Sequence, residues 1–161
     1  MAKLLLLGGP PAVGKTTVAP LLAERLAPSA WLDADDVWRI FPFEVTDRTR
    51  ALVEANVVHV LRGFIEARYE YVLLTWALHR EDLIQRLLAP LAAATKTAHV
   101  IHLVADPSVL QARLEAEPER GRSPARAHDR SARIATLPYP KVDTSQLTPQ
   151  EVAERILRML R

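Results

Sequence analysis

Between residues 9 and 16 the chain reads Gly9-Pro10-Pro11-Ala12-Val13-Gly14-Lys15-Thr16, a G-x-x-x-x-G-K-T spacing with Gly8 before it and Thr17 after it. Backbone N–H groups that wrap a phosphate must point inward together, which needs dihedrals and close approaches that a Cβ would obstruct. A helix opening at the end of such a loop adds unpaired N–H donors and the positive end of its dipole. Lys15 would supply a mobile charge for β- and γ-phosphates, and the Thr16 hydroxyl is of the type that ligates Mg²⁺. The chain has five glycines, and Gly8, Gly9 and Gly14 all sit here. Gly9 to Thr17 are therefore the candidate nucleotide-binding residues.

A second cluster, Asp33-Ala34-Asp35-Asp36, puts three carboxylates within four residues. Such a run is costly in a core, so it is either a solvated helix start or a site. Capping and helix-dipole stabilisation, about 0.3–1 kcal/mol per charge, account for Asp36. Asp33 and Asp35 suit a different task near Mg²⁺-ATP: one holds metal-bound water, and the other orients and deprotonates an attacking hydroxyl. The third feature is a segment from Glu117 to about Arg133 where aliphatic residues thin out and Arg120, Arg122, Arg126, Arg130 and Arg133 dominate. It is either a solvated face or a mobile segment bringing positive charge to a migrating phosphoryl group. Glu117, Glu119 and Asp129, and the lack of interleaved aromatics, argue against a nucleic-acid surface.

These residues need elements that bring them to one place. Leu4 to Leu7 reads as a strand buried on both faces of a parallel sheet, followed by a helix over Thr17–Leu26. A short strand at Ala30–Leu32 leads into the aspartates. There a helix is predicted, with Val37, Ile40 and Phe41 on one side and Pro42 as its stop. A long helix follows from Thr46 to about Arg68. Tyr69–Thr75 and Ala98–Val104 read as further strands, with a helix over His79–Leu91 between them. Asp106-Pro107 opens a helix through Leu114. Lys141–Asp143 is a short fifth strand. The tetrad Thr148-Pro149-Gln150-Glu151 is a capping box that opens a last helix, with Val152, Ile156 and Met159/Leu160 facing inward. Alternating strands and helices predict right-handed βαβ units and a parallel sheet covered on both faces. Ligands bind at the carboxyl ends of such strands. That puts the glycine loop, the aspartates, Thr75-Trp76 and Asp106 on one rim.

Composition narrows the partners. At 161 residues the chain is one domain, and 49% apolar with 25% charged residues is ordinary for a soluble globular protein. A net charge of +2 makes no general case for nucleic acid or acidic membranes. The absence of cysteine excludes disulfides, thiolate metal sites and a Cys nucleophile. No apolar run approaches the ~18 residues of a membrane span, and the N-terminus does not resemble a signal peptide. The expectation is a cytoplasmic protein, monomer or homodimer. His59 and His102 fall on apolar periodic segments and are expected to be buried.

The glycine loop, D-x-D after the second strand and an arginine-bearing segment before the last one together resemble the adenylate-kinase-like group of small-molecule kinases. Shikimate, gluconate and adenylylsulfate kinases and chloramphenicol phosphotransferase belong to it. The resemblance spans essentially the whole chain and is sharpest at Gly9–Thr17 and Asp33–Asp35. It implies a three-layer P-loop NTPase α/β fold, with a five-stranded parallel sheet ordered 2-3-1-4-5, helices on both faces and a short lid at about 117–133. It implies transfer of the γ-phosphoryl group of Mg²⁺-ATP to a hydroxyl of a small-molecule acceptor. Carried over to this sequence, Lys15 is catalytic, Thr16 and Asp33 serve the metal, and Asp35 binds the acceptor hydroxyl as base. Arg113 borders the adenine, and Arg120 or Arg122 is the lid arginine. Apart from the resemblance, Arg39, Trp76 and Arg133 are further candidates for the acceptor side: Arg39 and Arg48/Arg50 are either ligands for an anionic substrate or solvated helix arginines, and Trp38, Phe41, Phe43 and Trp76 would suit a ring-bearing acceptor or plain core packing. The third strand ends Leu73-Leu74-Thr75-Trp76 without the usual carboxylate, and no arginine triplet of the shikimate type is present. The alternative is an ATPase or switch module acting through a protein partner; D-x-D beside the loop argues against it.

Overall fold

The computed structural model describes residues 1–160. Five strands, β1 (Ala2–Gly8), β2 (Ser29–Asp33), β3 (Tyr71–Thr75), β4 (Thr95–Val104) and β5 (Lys141–Asp143), form one sheet ordered β2-β3-β1-β4-β5. Every pairing is parallel. The helices are α1 (Lys15–Arg25), α2 (Asp47–Glu66), α3 (Glu81–Leu88), α4 (Pro107–Ala116), α5 (Pro124–Ala135) and α6 (Pro149–Met159).

The uninterrupted leucines of β1 make sense because the strand is central. Leu4 and Leu6 pack into a core on one face with Val53, Val57 and Leu61 of α2 and Leu83, Ile84 and Leu87 of α3. Leu5 and Leu7 point the other way, against Val18 and Leu22 of α1 and Val152, Ala153 and Ile156 of α6. Alternation along a strand thus serves both layers with one residue type. In α2 the buried residues recur every fourth position, and His59 falls on the opposite, exposed side. The expected burial of His59 is wrong for that reason. His102 is fully buried, with Nε2 2.7 Å from the Leu78 carbonyl oxygen.

Two further expectations are corrected. After β2 there is no helix reaching Phe41, only a 3-10 turn over Ala34–Val37. Pro42 disfavours helical geometry at Phe41, and Trp38 packs on Phe43 and Trp76 at ring-centroid distances of 6.0 and 6.1 Å, which takes the chain off a helical path. Phe41 is left 95% exposed. At the C-terminus the capping box forms, with Glu151 N–H donating to Thr148 Oγ1 and Thr148 N–H donating to Glu151 Oε2. Met159, however, is exposed and only Leu160 packs inward. No helix among the described residues is long and apolar enough to cross a membrane.

Candidate active site

The carboxyl ends of β1, β2 and β3 open onto a cavity of about 1060 Å³. The glycine loop forms one wall. Gly9 has φ +153°, and a Cβ there would stand 2.7 Å from Val13 Cγ1 and 2.9 Å from the Leu103 carbonyl oxygen. Gly14, at φ +106°, ends the loop and caps α1 without a side-chain bond. Neither position tolerates a side chain without strain. Pro11 to Thr17 line the cavity, whereas Gly9 and Pro10 are buried beneath it. Their role is to hold the lysine: Lys15 Nζ donates to the Gly9 and Pro10 carbonyl oxygens, both at 2.8 Å. Lys15 is pushed down to about 8, first by burial and then by Arg130, with Asp33 and Asp35 opposing the shift.

Asp33 ends β2 and is held from two sides. Its Oδ1 accepts from the Asp35 backbone N–H at 3.0 Å, and its Oδ2 accepts from Thr75 Oγ1 at 3.0 Å. Thr75 is itself buried and accepts from Trp31 Nε1 at 3.0 Å. The strand that lacks a carboxylate therefore contributes a hydroxyl that fixes the carboxylate of its neighbour. Asp35 lies on the turn beyond, on the cavity wall. Its pKa is raised, chiefly by burial and next by Asp33, while Lys15 and Arg130 work against the shift. Thr16 and Asp33 line the same cavity as oxygen donors. A hydroxyl and one carboxylate fit Mg²⁺, which keeps most of its shell for water and phosphate oxygens; among the described residues no three His, Cys, Asp or Glu side chains are placed to hold a metal ion together.

The arginine segment is more ordered than a loop. A 3-10 turn over Pro118–Arg120 leads through Gly121 to α5, which is anchored by buried Ala127 and Ile134. Arg120 and Arg122 line the cavity, but both pair with Glu117, Arg120 at 3.1 Å. Arg126 and Arg130 line it and make no ion pair among the described residues. Arg130 is half-buried, and burial followed by Arg126 lowers its pKa while Asp35 and Asp129 raise it. Arg113 lines the far end, fixed by Nη1 to Thr144 Oγ1 at 3.0 Å and to the Val13 carbonyl oxygen at 3.3 Å.

Trp76 reaches the cavity, but Arg39 and Arg133 do not line it. Arg39 pairs with Asp36 at 2.8 Å and Arg133 with Asp129 at 3.0 Å, each on its own exposed segment. Sequence reasoning missed Thr75 as a partner for Asp33, and Arg130 as the half-buried one of the two α5 arginines on the wall that are unpaired among the described residues. The spacing of Arg130 from Glu117 and from Asp129 was the only available signal. It also missed His79, on the wall, whose pKa falls to about 4, chiefly through burial and then through Arg130, Arg133 and Arg80.

A parallel sheet ordered β2-β3-β1-β4-β5, with a glycine loop between β1 and α1, defines a P-loop domain of kinase-like fold. An AAA domain family model matches residues 5–135, and the chain belongs to that family. The fold recurs in a sugar kinase from Janibacter, 15% identical over 99% of this chain and 94% of that one, with a TM-score of 0.77. It recurs in a gluconokinase from Sinorhizobium meliloti, 16% identical over 97% and 90%, TM-score 0.72. An APS kinase from Mycobacterium tuberculosis, solved with AMPPNP and APS, is 17% identical over 99% and 97%, TM-score 0.72. No curated protein matches the sequence.

Proposed function

We propose that this protein is a phosphotransferase that moves the γ-phosphoryl group of Mg²⁺-ATP to a hydroxyl of a small molecule. The observation that carries the reading is one cavity bounded by Lys15 and Thr16 on one wall, Asp33 and Asp35 on another and Arg130 on the lid. Kinases of the same fold, one solved with AMPPNP, support it.

Lys15 and the N–H groups of the loop bind the β- and γ-phosphates and draw charge from the transition state. Thr16 and Asp33 would hold Mg²⁺, which when bound neutralises phosphate charge. Asp35 orients the acceptor hydroxyl and takes its proton as the new O–P bond forms and the bond to the leaving ADP oxygen breaks. Arg130, unpaired on α5, supplies charge to the migrating group in place of Arg120 or Arg122, both of which pair with Glu117. Closure of the segment 117–133 excludes water. Arg113 borders the nucleoside end.

The test is transfer of labelled γ-phosphate to a panel of hydroxyl compounds. The wild type forms an acid- or base-stable phosphoester, and Asp35→Asn lowers the rate about 10²- to 10⁴-fold with nucleotide affinity unchanged. Near-full transfer by Asp35→Asn removes the base assignment. Slow hydrolysis with no product from any acceptor favours an ATPase module instead.

A further inference from the structure

The cavity has two ends that differ in charge. Lys15 of the glycine loop, Arg113 of α4, and Arg126 and Arg130 of α5 are free of carboxylate partners among the described residues, and Arg130 acts on Lys15, Asp35 and His79 alike. On the other side of Asp35 the wall is built from Trp38, Phe43 and Val45 of the segment after β2, Trp76 after β3, Leu83 of α3, and three arginines. Each of those arginines is already engaged. Arg86 makes a forked pair with Glu54 at 2.8 and 3.0 Å and a further bond to Asp82 at 2.7 Å. Arg80 pairs with Asp82 through Nε at 3.0 Å and through Nη2. Arg50 reaches Asp47 at 3.4 Å. Glu54 is the most sheltered of these carboxylates, its side chain 19% exposed.

A wall that must hold an anionic substrate keeps an arginine fork unpaired for it, because a bidentate guanidinium–carboxylate bond is what gives such a site its energy. Here Arg80 and Arg86 are forked onto carboxylates within the protein and Arg50 makes a single contact; the one unpaired guanidinium acting on His79, Arg130, is the group given above to the migrating phosphoryl. His79, on the same wall, is held neutral near pH 7 by burial and its arginine neighbours, so it adds no charge. What stays open to a ligand is aromatic surface: Trp38 meets Trp76 edge-on and leans on Phe43, which is itself 62% exposed. Indole faces grip rings through stacking and area burial.

We infer that the acceptor is an uncharged, ring-bearing alcohol, seated on Trp38, Trp76 and Phe43 with its hydroxyl toward Asp35, and that carboxylated or phosphorylated acceptors are rejected. This rests on the phosphotransferase reading above and names the substrate class of the same site.

The experiment titrates the protein, saturated with Mg²⁺ and a non-hydrolysable ATP analogue, with matched probes while following tryptophan fluorescence. The probes are 1-phenylethane-1,2-diol, its anionic counterpart mandelate, the nucleoside thymidine, its 5′-carboxylate, and the ringless polyol xylitol. The neutral ring compounds change the emission and bind at least tenfold more tightly than their anionic counterparts and than xylitol. Trp38→Leu loses that preference at least tenfold, and Trp38→Phe restores most of it. Glu54→Gln frees the Arg86 fork and narrows the gap between mandelate and the diol at least threefold. Equal or tighter binding of the anions, or no binding by the neutral ring compounds, overturns the inference. The analogue is titrated first: if the wild type fails to bind it, the phosphotransferase reading falls; if it binds while the ring compounds do not, only the acceptor class falls.

Discussion

At the scale of single residues the account turns on Lys15 and Asp35, two groups whose ordinary protonation is shifted toward each other. The folded Lys15 has its pKa lowered to about 8, mainly by burial. Below that pH the ammonium is charged and meets phosphate; above it the free protein holds a neutral amine. Affinity for a non-hydrolysable ATP analogue is therefore level from pH 6.5 to about 8. It then weakens with rising pH by up to about tenfold per unit, where an ordinary lysine would hold to beyond pH 10. Calorimetric titration across pH 6.5–9.5 checks this, and a flat profile to pH 9.5 contradicts it. Lys15→Met abolishes the dependence together with most of the affinity. Asp35 works from the other side. Its raised pKa means that the base is lost on acidification sooner than an ordinary carboxylate would be, so kcat/KM rises with pH through that limb and falls through the lysine limb.

At the scale of elements, strand ends decide where the chemistry sits. Thr75 at the end of β3 ties β2 to the site by donating to Asp33 while accepting from Trp31. Thr75→Val keeps the volume but leaves the Trp31 Nε1–H without its acceptor and one Asp33 oxygen unheld. The expected result is a loss of about 1–3 kcal/mol in stability and of roughly tenfold in Mg²⁺-dependent nucleotide affinity, read by urea unfolding and by metal titration. A variant with native metal dependence would mean that Thr75 only packs. The elements themselves were largely legible. Leucine runs, fourth-residue periodicity and the Thr148–Glu151 box each express one physical constraint that acts within a few residues. The turn after β2 was not legible, because its path is set by Trp38 meeting Trp76, a contact between segments 38 residues apart in sequence. Asp-rich starts and a stop at Pro42 describe a helix and a 3-10 turn equally well.

At the scale of the molecule, α5 brings Arg130 to the wall of the cavity at the carboxyl ends of the strands. The sequence put five arginines in this segment and offered no means of ranking them, since ion pairing depends on where Glu117 and Asp129 come to lie. The folded chain ranks them: Arg120, Arg122 and Arg133 are paired, Arg126 and Arg130 are not among the described residues, and of those two Arg126 is exposed while Arg130 is half-buried beside Asp35. Arg130→Ala is expected to lower the transfer rate about 10³-fold with less than a tenfold change in nucleotide Kd. Arg133→Ala, which gives up only an exposed pair, changes the rate less than threefold. Steady-state kinetics on the first acceptor found checks both, and the reverse ranking would move the catalytic arginine.

The most direct measurement is a crystal structure grown with Mg²⁺ and a non-hydrolysable ATP analogue. The account predicts the β- and γ-phosphates within the loop over Gly9–Thr17, Lys15 Nζ released from the Gly9 and Pro10 carbonyls onto phosphate, the metal beside Thr16 and Asp33, and Asp35 facing the γ-phosphate across a gap sized for a hydroxyl. A loop left empty at saturating nucleotide, or Asp35 turned away from the phosphate, would contradict it.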